Sequence, residues 1–416
     1  MRRRYMSDTN AIFDNSNYMT INALEDGVEI VYGSSCEYGI NGVGWYKYHT
    51  NRVIILNSGE SVSFRNISNK SEQFNIKGQC GLSGNVMSLL FGDNAKNNKN
   101  LTGYPMAFNL LFARCTGIQF VSSNFLPATT LADRCYYHMF EGCRSLTTAP
   151  ELPATTLAIS CYNSMFMNCT SLTTAPELPA TTLEGGCYDS MFNGCTSLTT
   201  APELPATTLA GSCYNSMFEG CTSLKIAPAL PATTLAARCY NSMFRNCTKL
   251  NYIKMLATDI SATWCLYNWV YSVASSGTFV KNPEATWDVV GDSGVPSGWT
   301  VKFDGEEDDG IETTLQFPLY LNFDYCEENV LSVYCYGNGD YAELNRVIKF
   351  VVDTYGVDDA IHYRSVNEAK LDELGLEIYL EGEKVRSFAI EYSECFVNTD
   401  TYYATKVTDS AITYEY

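Results

Sequence analysis

Cysteine is the residue type with the most chemistry in reserve here: seventeen are present in a chain of 416 residues. Ten recur at two fixed slots, as Cys135 and Cys143, Cys161 and Cys169, Cys187 and Cys195, Cys213 and Cys221, and Cys239 and Cys247. Thiolates hold zinc or exchange disulfides when they come as Cys-x-x-Cys pairs; no such pair occurs, and the total is odd. Cysteines eight apart stand too far from each other for a disulfide if the residues between them are helical. They read instead as small apolar plugs, a ladder of free thiols suited to folding in a reducing cytoplasm.

The other reactive types are scattered. His49, His138 and His362 lie in three separate segments without metal-ligand spacing. His138 takes a slot that Ser fills in the four sister copies, which predicts an exposed substitution. Glu327 with Glu328, or Asp358 with Asp359, would be the carboxylates of a glycosidase, but nothing places two of them across a cleft. The run Asp304 to Asp309 lacks the alternating spacing and internal turn of a calcium loop and reads as a solvated hinge. No phosphate loop, dinucleotide fingerprint or nucleophile elbow is present. The expectation is a protein that is not an enzyme and takes no cofactor or metal. A net charge of −19 without a basic stripe argues against nucleic acid, and no apolar run approaches a membrane span.

The elements that carry the cysteines are repeats. Leu126-Pro-Ala-Thr-Thr-Leu131 returns at Leu152, Leu178, Leu204 and Leu230, a period of 26 residues, with Cys-Tyr, Met-Phe and a second Cys between the blocks. Self-similarity at a fixed period of this length marks a stack of units that cannot bury their apolar sides alone. Pro176 and Pro179 exclude a helix from the Leu-Pro-Ala-Thr-Thr-Leu side. On the other side, Cys187, Met191, Phe192 and Cys195 fall at helical spacing and predict one or two helical turns. Met87 to Phe91 and Leu110 to Cys115 are worn copies at the entry. Leu256, Trp264-Cys265 and Trp269-Val270 hold the matching slots of a terminal cap.

The wording Cys-x-x-Leu-x-x-Ala-Pro-x-Leu-Pro-Ala-Thr-Thr-Leu-Ala-x-x-Cys-Tyr-x-x-Met-Phe resembles the BspA-like, or Treponema pallidum-type, leucine-rich repeats. It is similar in particular to the variant of Bacteroides surface proteins and of phages infecting Bacteroides, including crAss-like phages. The likeness is specific over Leu126 to Leu250, degenerate over about Cys80 to Trp299, and does not cover the ends. It implies an adhesion or binding scaffold without naming the ligand.

Around the repeats, residues 1–79 bunch β-branched and aromatic residues in Tyr18 to Leu24, Val28 to Tyr32, Gly44 to Tyr48, Val53 to Leu56 and Glu60 to Arg65, with turn residues between. From Phe303 on, 25 acids face 7 bases, whereas the preceding 302 residues hold 21 and 20. Strands are expected at Leu315 to Phe323, Leu376 to Leu380, Val385 to Tyr392 and Tyr402 to Val407, and an amphipathic helix at Asp340 to Tyr355. The predicted fold is mixed α/β and multi-domain. It comprises an N-terminal β-sandwich-like cap (1–79), a leucine-rich-repeat solenoid of 26-residue coils with degenerate ends (80–301) and an acidic C-terminal α+β domain (302–416).

Within the repeats a few slots vary. The pair before Cys-Tyr reads Asp133-Arg134, Ile159-Ser160, Gly185-Gly186, Gly211-Ser212 and Ala237-Arg238. The slot after Met-Phe reads Glu141, Met167, Asn193, Glu219 and Arg245. Together they make a candidate ligand-facing strip, although drift at positions with no packing duty is the simpler explanation of any one slot. The rival strip is the threonine ladder Thr147-Thr148, Thr173-Thr174 and Thr199-Thr200. The expected function is recognition: a phage virion component (fibre, adsorption or decoration protein) binding a host-surface glycan or protein, or else a bacterial surface adhesin. Met1-Arg-Arg-Arg-Tyr-Met6 is followed by polar Ser7 to Asn10 rather than an apolar leader, which favours the virion. Its expected partners are other virion proteins and further copies of itself.

Overall fold

The computed structural model describes residues 7–12, 15–67 and 72–305, together with the strand segments named below beyond residue 306. The chain divides into two units, Met1–Glu306 and Glu307–Tyr416.

The first unit opens with strands β1 (Ser7–Ile12), β2 (Met19–Ala23), β3 (Val28–Tyr32), β4 (Cys36–Ile40), β5 (Val43–Tyr48), β6 (Ile54–Leu56), β7 (Ser61–Arg65), β8 (Phe74–Lys77), β9 (Cys80–Ser83) and β10 (Ile118–Val121). Seven of them form one sheet in the order β1-β5-β4-β7-β2-β9-β10, and β6-β3-β8 form another. Alternation drives the pairing: in β3, Val28, Ile30 and Tyr32 are buried while Glu29 and Val31 are half-buried. Side chains cross between the sheets. The Tyr48 hydroxyl accepts from the Tyr32 amide at 2.8 Å, and the Phe64 and Phe74 rings meet edge-on at 5.0 Å.

The pair β9–β10 is parallel, and from there the repeats continue the ladder in the same sense. Phe120 bridges Thr148, Thr174 bridges Thr200, Ile226 bridges Tyr252, and the strands β11 (Tyr252–Met255), β12 (Thr278–Lys281) and β13 (Thr300–Phe303) finish it as a parallel sheet. A second row of parallel bridges joins Asn100, Thr130 and Thr156, then Thr182 with Thr208 and Thr234 with Asp259.

The expectation of a mixed α/β, multi-domain fold with a helix-bearing leucine-rich-repeat solenoid is overturned. Among the described residues the α-helix is α1 (Ser88–Phe91), four residues long; short 3-10 turns at Asn15–Asn17, Gly92–Asn97 and Ser123–Phe125 are the other helical segments, and strands, bridges and turns predominate. The cause lies in the amides of the segment predicted to be helical. Between Ser160 and Cys169 every second N–H leaves the coil: Ser160, Tyr162, Ser164, Phe166 and Asn168 donate to the carbonyls of Gly185, Cys187, Asp189, Met191 and Asn193 at 2.7–3.0 Å. The amides between them close tight turns three residues back, Met165 to Tyr162 for example. An α-helix would have sent all of them four residues back within its own segment. Every fourth residue sits in the left-handed region, as at Ser160 (φ 52°), Ser164 (φ 54°) and Asn168 (φ 60°). The period is therefore four residues, not 3.6, with two residues inward and two outward in each turn.

The inward pairs stack into columns. Phenyl rings run Phe74, Phe112, Phe140, Phe166, Phe192, Phe218, Phe244 at 5.4–5.8 Å, stacked nearly parallel in successive coils. Beside them run Phe108, Tyr136, Tyr162, Tyr188, Tyr214 and Tyr240 at 5.6–6.1 Å. Both columns end on Trp269, which is fully buried and donates its indole N–H to the Gly294 carbonyl at 2.8 Å.

All fourteen described cysteines are free and buried. The second thiol of each coil donates to a carbonyl of an earlier one, Cys195 to Phe166 at 3.1 Å and Cys221 to Phe192 at 3.2 Å. Burial pushes the thiols of Cys195 and Cys213 up to about 12. Unfolded thiols ionise first, from about pH 8.5, so above that pH the unfolded chain holds fewer protons than the folded one. The stability this lends is complete below that point and is lost as pH rises towards 12. A series of urea melts from pH 7 to 11 is expected to show a falling midpoint above pH 9. At pH 8 a thiol reagent should label the fourteen only at the rate of unfolding; fast labelling of the native protein would contradict the buried ladder.

In the second unit the described strands are β14 (Leu315–Phe317), β15 (Asn322–Tyr325), β16 (Leu331–Tyr334), β17 (His362–Asn367), β18 (Ile378–Leu380), β19 (Glu383–Val385), β20 (Ser387–Ser393) and β21 (Tyr403–Asp409). They form the sheets β14-β18-β19, β15-β16 and β17-β20-β21. The helix expected at 340–355 lies outside the described residues.

Candidate recognition surface

The four-residue period decides which side chains leave the core. Outward positions fall in three columns along the stack, each line of the face coming from one coil. The first column holds Arg134, Ser160, Gly186, Ser212, Arg238 and Trp264, all in the left-handed conformation. The second holds Tyr137, Asn163, Asp189, Asn215, Asn241 and Tyr267, and the third Glu141, Met167, Asn193, Glu219, Arg245 and Tyr271. The predicted strip is thus two edges of one face with a middle column between them.

Asp133, Arg134, Ile159 and Arg238 are exposed, whereas Ser160, Glu141, Met167, Asn193, Glu219 and Arg245 are half-buried. Several are tied along the stack. Asp133 accepts from the Ile159 amide at 3.2 Å, and Asn193 donates to Glu219 at 3.4 Å. Glu219 faces Arg245 at 3.7 Å, and the Arg245 guanidinium lies 5.5 Å from the Tyr271 ring centre. His138 departs from its expected exposure: it is half-buried, with Nδ1 2.8 Å from Glu141 Oε2.

Sequence variability missed the middle column because Asn recurs there. Its role shows in the neighbour at the next position, which must adopt a left-handed backbone. The hydroxyls of Ser164, Ser190 and Ser242 donate to Asn163, Asp189 and Asn241 at 2.7–3.0 Å, giving each strained residue a local partner. Burial raises the Asp189 carboxyl above its ordinary value, opposed by hydrogen bonds from Asn215 and Ser190.

The threonine ladders lie on other sides of the coil and are exposed. Their hydroxyls are partly spent within the stack: Thr147 donates to the Gln119 carbonyl at 3.0 Å, Thr199 to Thr173 at 3.2 Å and Thr258 to Thr233 at 3.2 Å.

Among the described residues, no three His, Cys, Asp or Glu side chains come close enough together to hold a metal ion. No helix there is long and apolar enough to cross a membrane. No protein-family model, curated protein or solved structure matches the chain.

Proposed function

We propose that this chain is a non-enzymatic recognition protein whose outward turn face binds a host-surface glycan or protein. One observation carries the reading: the coils share the same backbone bonds and the same buried columns, while the outward edges of that face change from Arg and Glu through Gly and Asn to Trp and Tyr. A scaffold of fixed geometry with a variable face separates folding from contact, as repeat proteins that bind along an extended surface do. The threonine sides support the reading less well, because their donors are engaged along the stack.

The setting that fits is a phage particle, with the chain standing beside other virion proteins in several copies. Fourteen free, buried thiols suit assembly in a reducing cytoplasm. Peptide mass spectrometry of gradient-purified particles, beside washed host envelopes, tests the setting. Peptides spanning Cys135 to Cys247 are expected in stoichiometric amounts in the particles. Their presence on envelopes alone would replace the virion with a bacterial surface adhesin.

A further inference from the structure

The last coil breaks the chemistry of the face. Where earlier coils place Ser, Gly or Arg in the first column, it places Trp264; where they place Asn, Asp or Tyr in the second, Tyr267; and the third ends in Tyr271. All three are exposed, at 56%, 53% and 44%. Packing does not account for them, since the closure of the stack is made by the buried Leu266, Trp269 and Val270 of the same coil. Backbone preference does not account for Trp264 either. Its φ of 56° is in the left-handed region, where a bulky side chain costs roughly 1–2 kcal/mol and where Ser or Gly would cost less. An indole held in a strained conformation and left in water points outward to a partner.

Two guanidinium groups from the preceding coil flank the rings. Arg238 lies 4.5 Å from the Trp264 ring centre, and among the described residues no carboxylate forms an ion pair with it. Arg245 lies 5.5 Å from the Tyr271 ring centre, pairs loosely with Glu219, and keeps a buried Nε without a partner. Aromatic faces accept the apolar C–H faces of sugar rings, and guanidinium binds carboxylate through two parallel hydrogen bonds. Neutral sugar would use only the rings, and a simple anion only the arginines.

We propose that Trp264, Tyr267 and Tyr271, with Arg238 and Arg245, form a binding site for a carboxylate-bearing saccharide. The proposal rests on the recognition reading and names the ligand class of its face.

The test uses the full chain with oligogalacturonate, hyaluronan and alginate oligomers, and with maltohexaose as the neutral probe. Affinity is followed by calorimetry and by protection of tryptophan from acrylamide, since Trp264 is the most exposed indole among the described residues. Trp264→Ser, Tyr267→Asn and Arg238→Ser install residues that sister coils carry at those slots, so the fold tolerates them. At least one uronate series is expected to bind, to weaken tenfold or more in each variant at unchanged melting temperature, and to weaken as salt rises. Equal binding of maltohexaose, no binding of any uronate, or binding indifferent to the three variants overturns the site. Adsorption to host cells, run in parallel, separates the two readings. Cell binding that persists in Trp264→Ser keeps recognition and removes this site; wild-type protein that binds neither cells nor saccharide removes both.

Discussion

Trp269→Ala is expected to destabilise the first unit by about 3–5 kcal/mol, the cost of emptying a buried indole site. Trp269 is fully buried where the two ring columns meet, 6.4 Å from Tyr240, 6.0 Å from Phe244 and 6.1 Å from Phe279. No other described side chain closes both columns. Trp269→Phe keeps most of the stacking but loses the 2.8 Å bond to Gly294, and should cost less. Because a stack is held by nearest-neighbour contacts, the damage should be uneven. Hydrogen exchange in Trp269→Ala is expected to quicken from about residue 240 to 300 and to stay slow around Phe140 and Phe166. A loss below about 1 kcal/mol in urea melts, or uniform quickening along the chain, would show that the columns are not closed there.

Removing 26 residues is expected to harm the fold less than removing one. Deletion of 178–203 joins Glu177 to Leu204 and takes out one whole period, the separation at which Thr199 meets Thr173. Tyr162 then lies where it can stack on Tyr214, Phe166 on Phe218, and the amides of Ser160 to Asn168 find the carbonyls of Gly211 to Glu219 in the same pattern as before. The protein should remain soluble and cooperative, with a lower unfolding free energy and a smaller denaturant slope. Deletion of Asn163 alone shifts the four-residue phase within one coil. Met165, Phe166 and Cys169 leave their inward slots, and amides that reached the next coil lose their carbonyls. Each buried amide left unpaired costs about 1–3 kcal/mol, on top of the displaced Phe ring. Circular dichroism, size-exclusion chromatography and urea melts of the two variants give the comparison, and a more stable Asn163 deletion would refute the turn geometry.

The inward side of the repeats was legible. Leu152, Ala154, Cys161, Met165, Phe166 and Cys169 are all buried, and a 26-residue period places each above its copy; Tyr162, equally buried, was not among the types read as inward. What the sequence hid was the path of the backbone between them. Cys135, Met139 and Cys143, with Tyr136 and Phe140, satisfy a period of four as well as one of 3.6, because over nine residues the two drift apart by less than one position. The discriminating signal was in the residue before the second cysteine. Gly142, Asn168, Gly194, Gly220 and Asn246 fill that slot, and all five have positive φ. Gly and Asn are the types that tolerate the left-handed region, and one at every copy argues against a continuous helix. The N-terminal strands were read where aromatic and β-branched residues cluster, but β1, β4, β8 and β9 were not, since Ser7–Ile12 is mostly polar and Cys36–Ile40, Phe74–Lys77 and Cys80–Ser83 hold Gly or Lys. The face itself was half visible: variable slots gave its two edges, and the recurrence of Asn at 163, 215 and 241 concealed the column between.

The direction of the hydrogen bonds between coils gives the stack a property of its own. Those from Ser160, Tyr162, Ser164, Phe166 and Asn168 run along the stacking axis, from one coil to the next. A rung of such a ladder occupies about 4.8 Å of that axis. The 26 residues that form it would reach about 90 Å if drawn straight. The folded repeats are thus a spool: each turn of thread released under tension would lengthen the chain nearly twentyfold locally, while the turns behind it keep their grip.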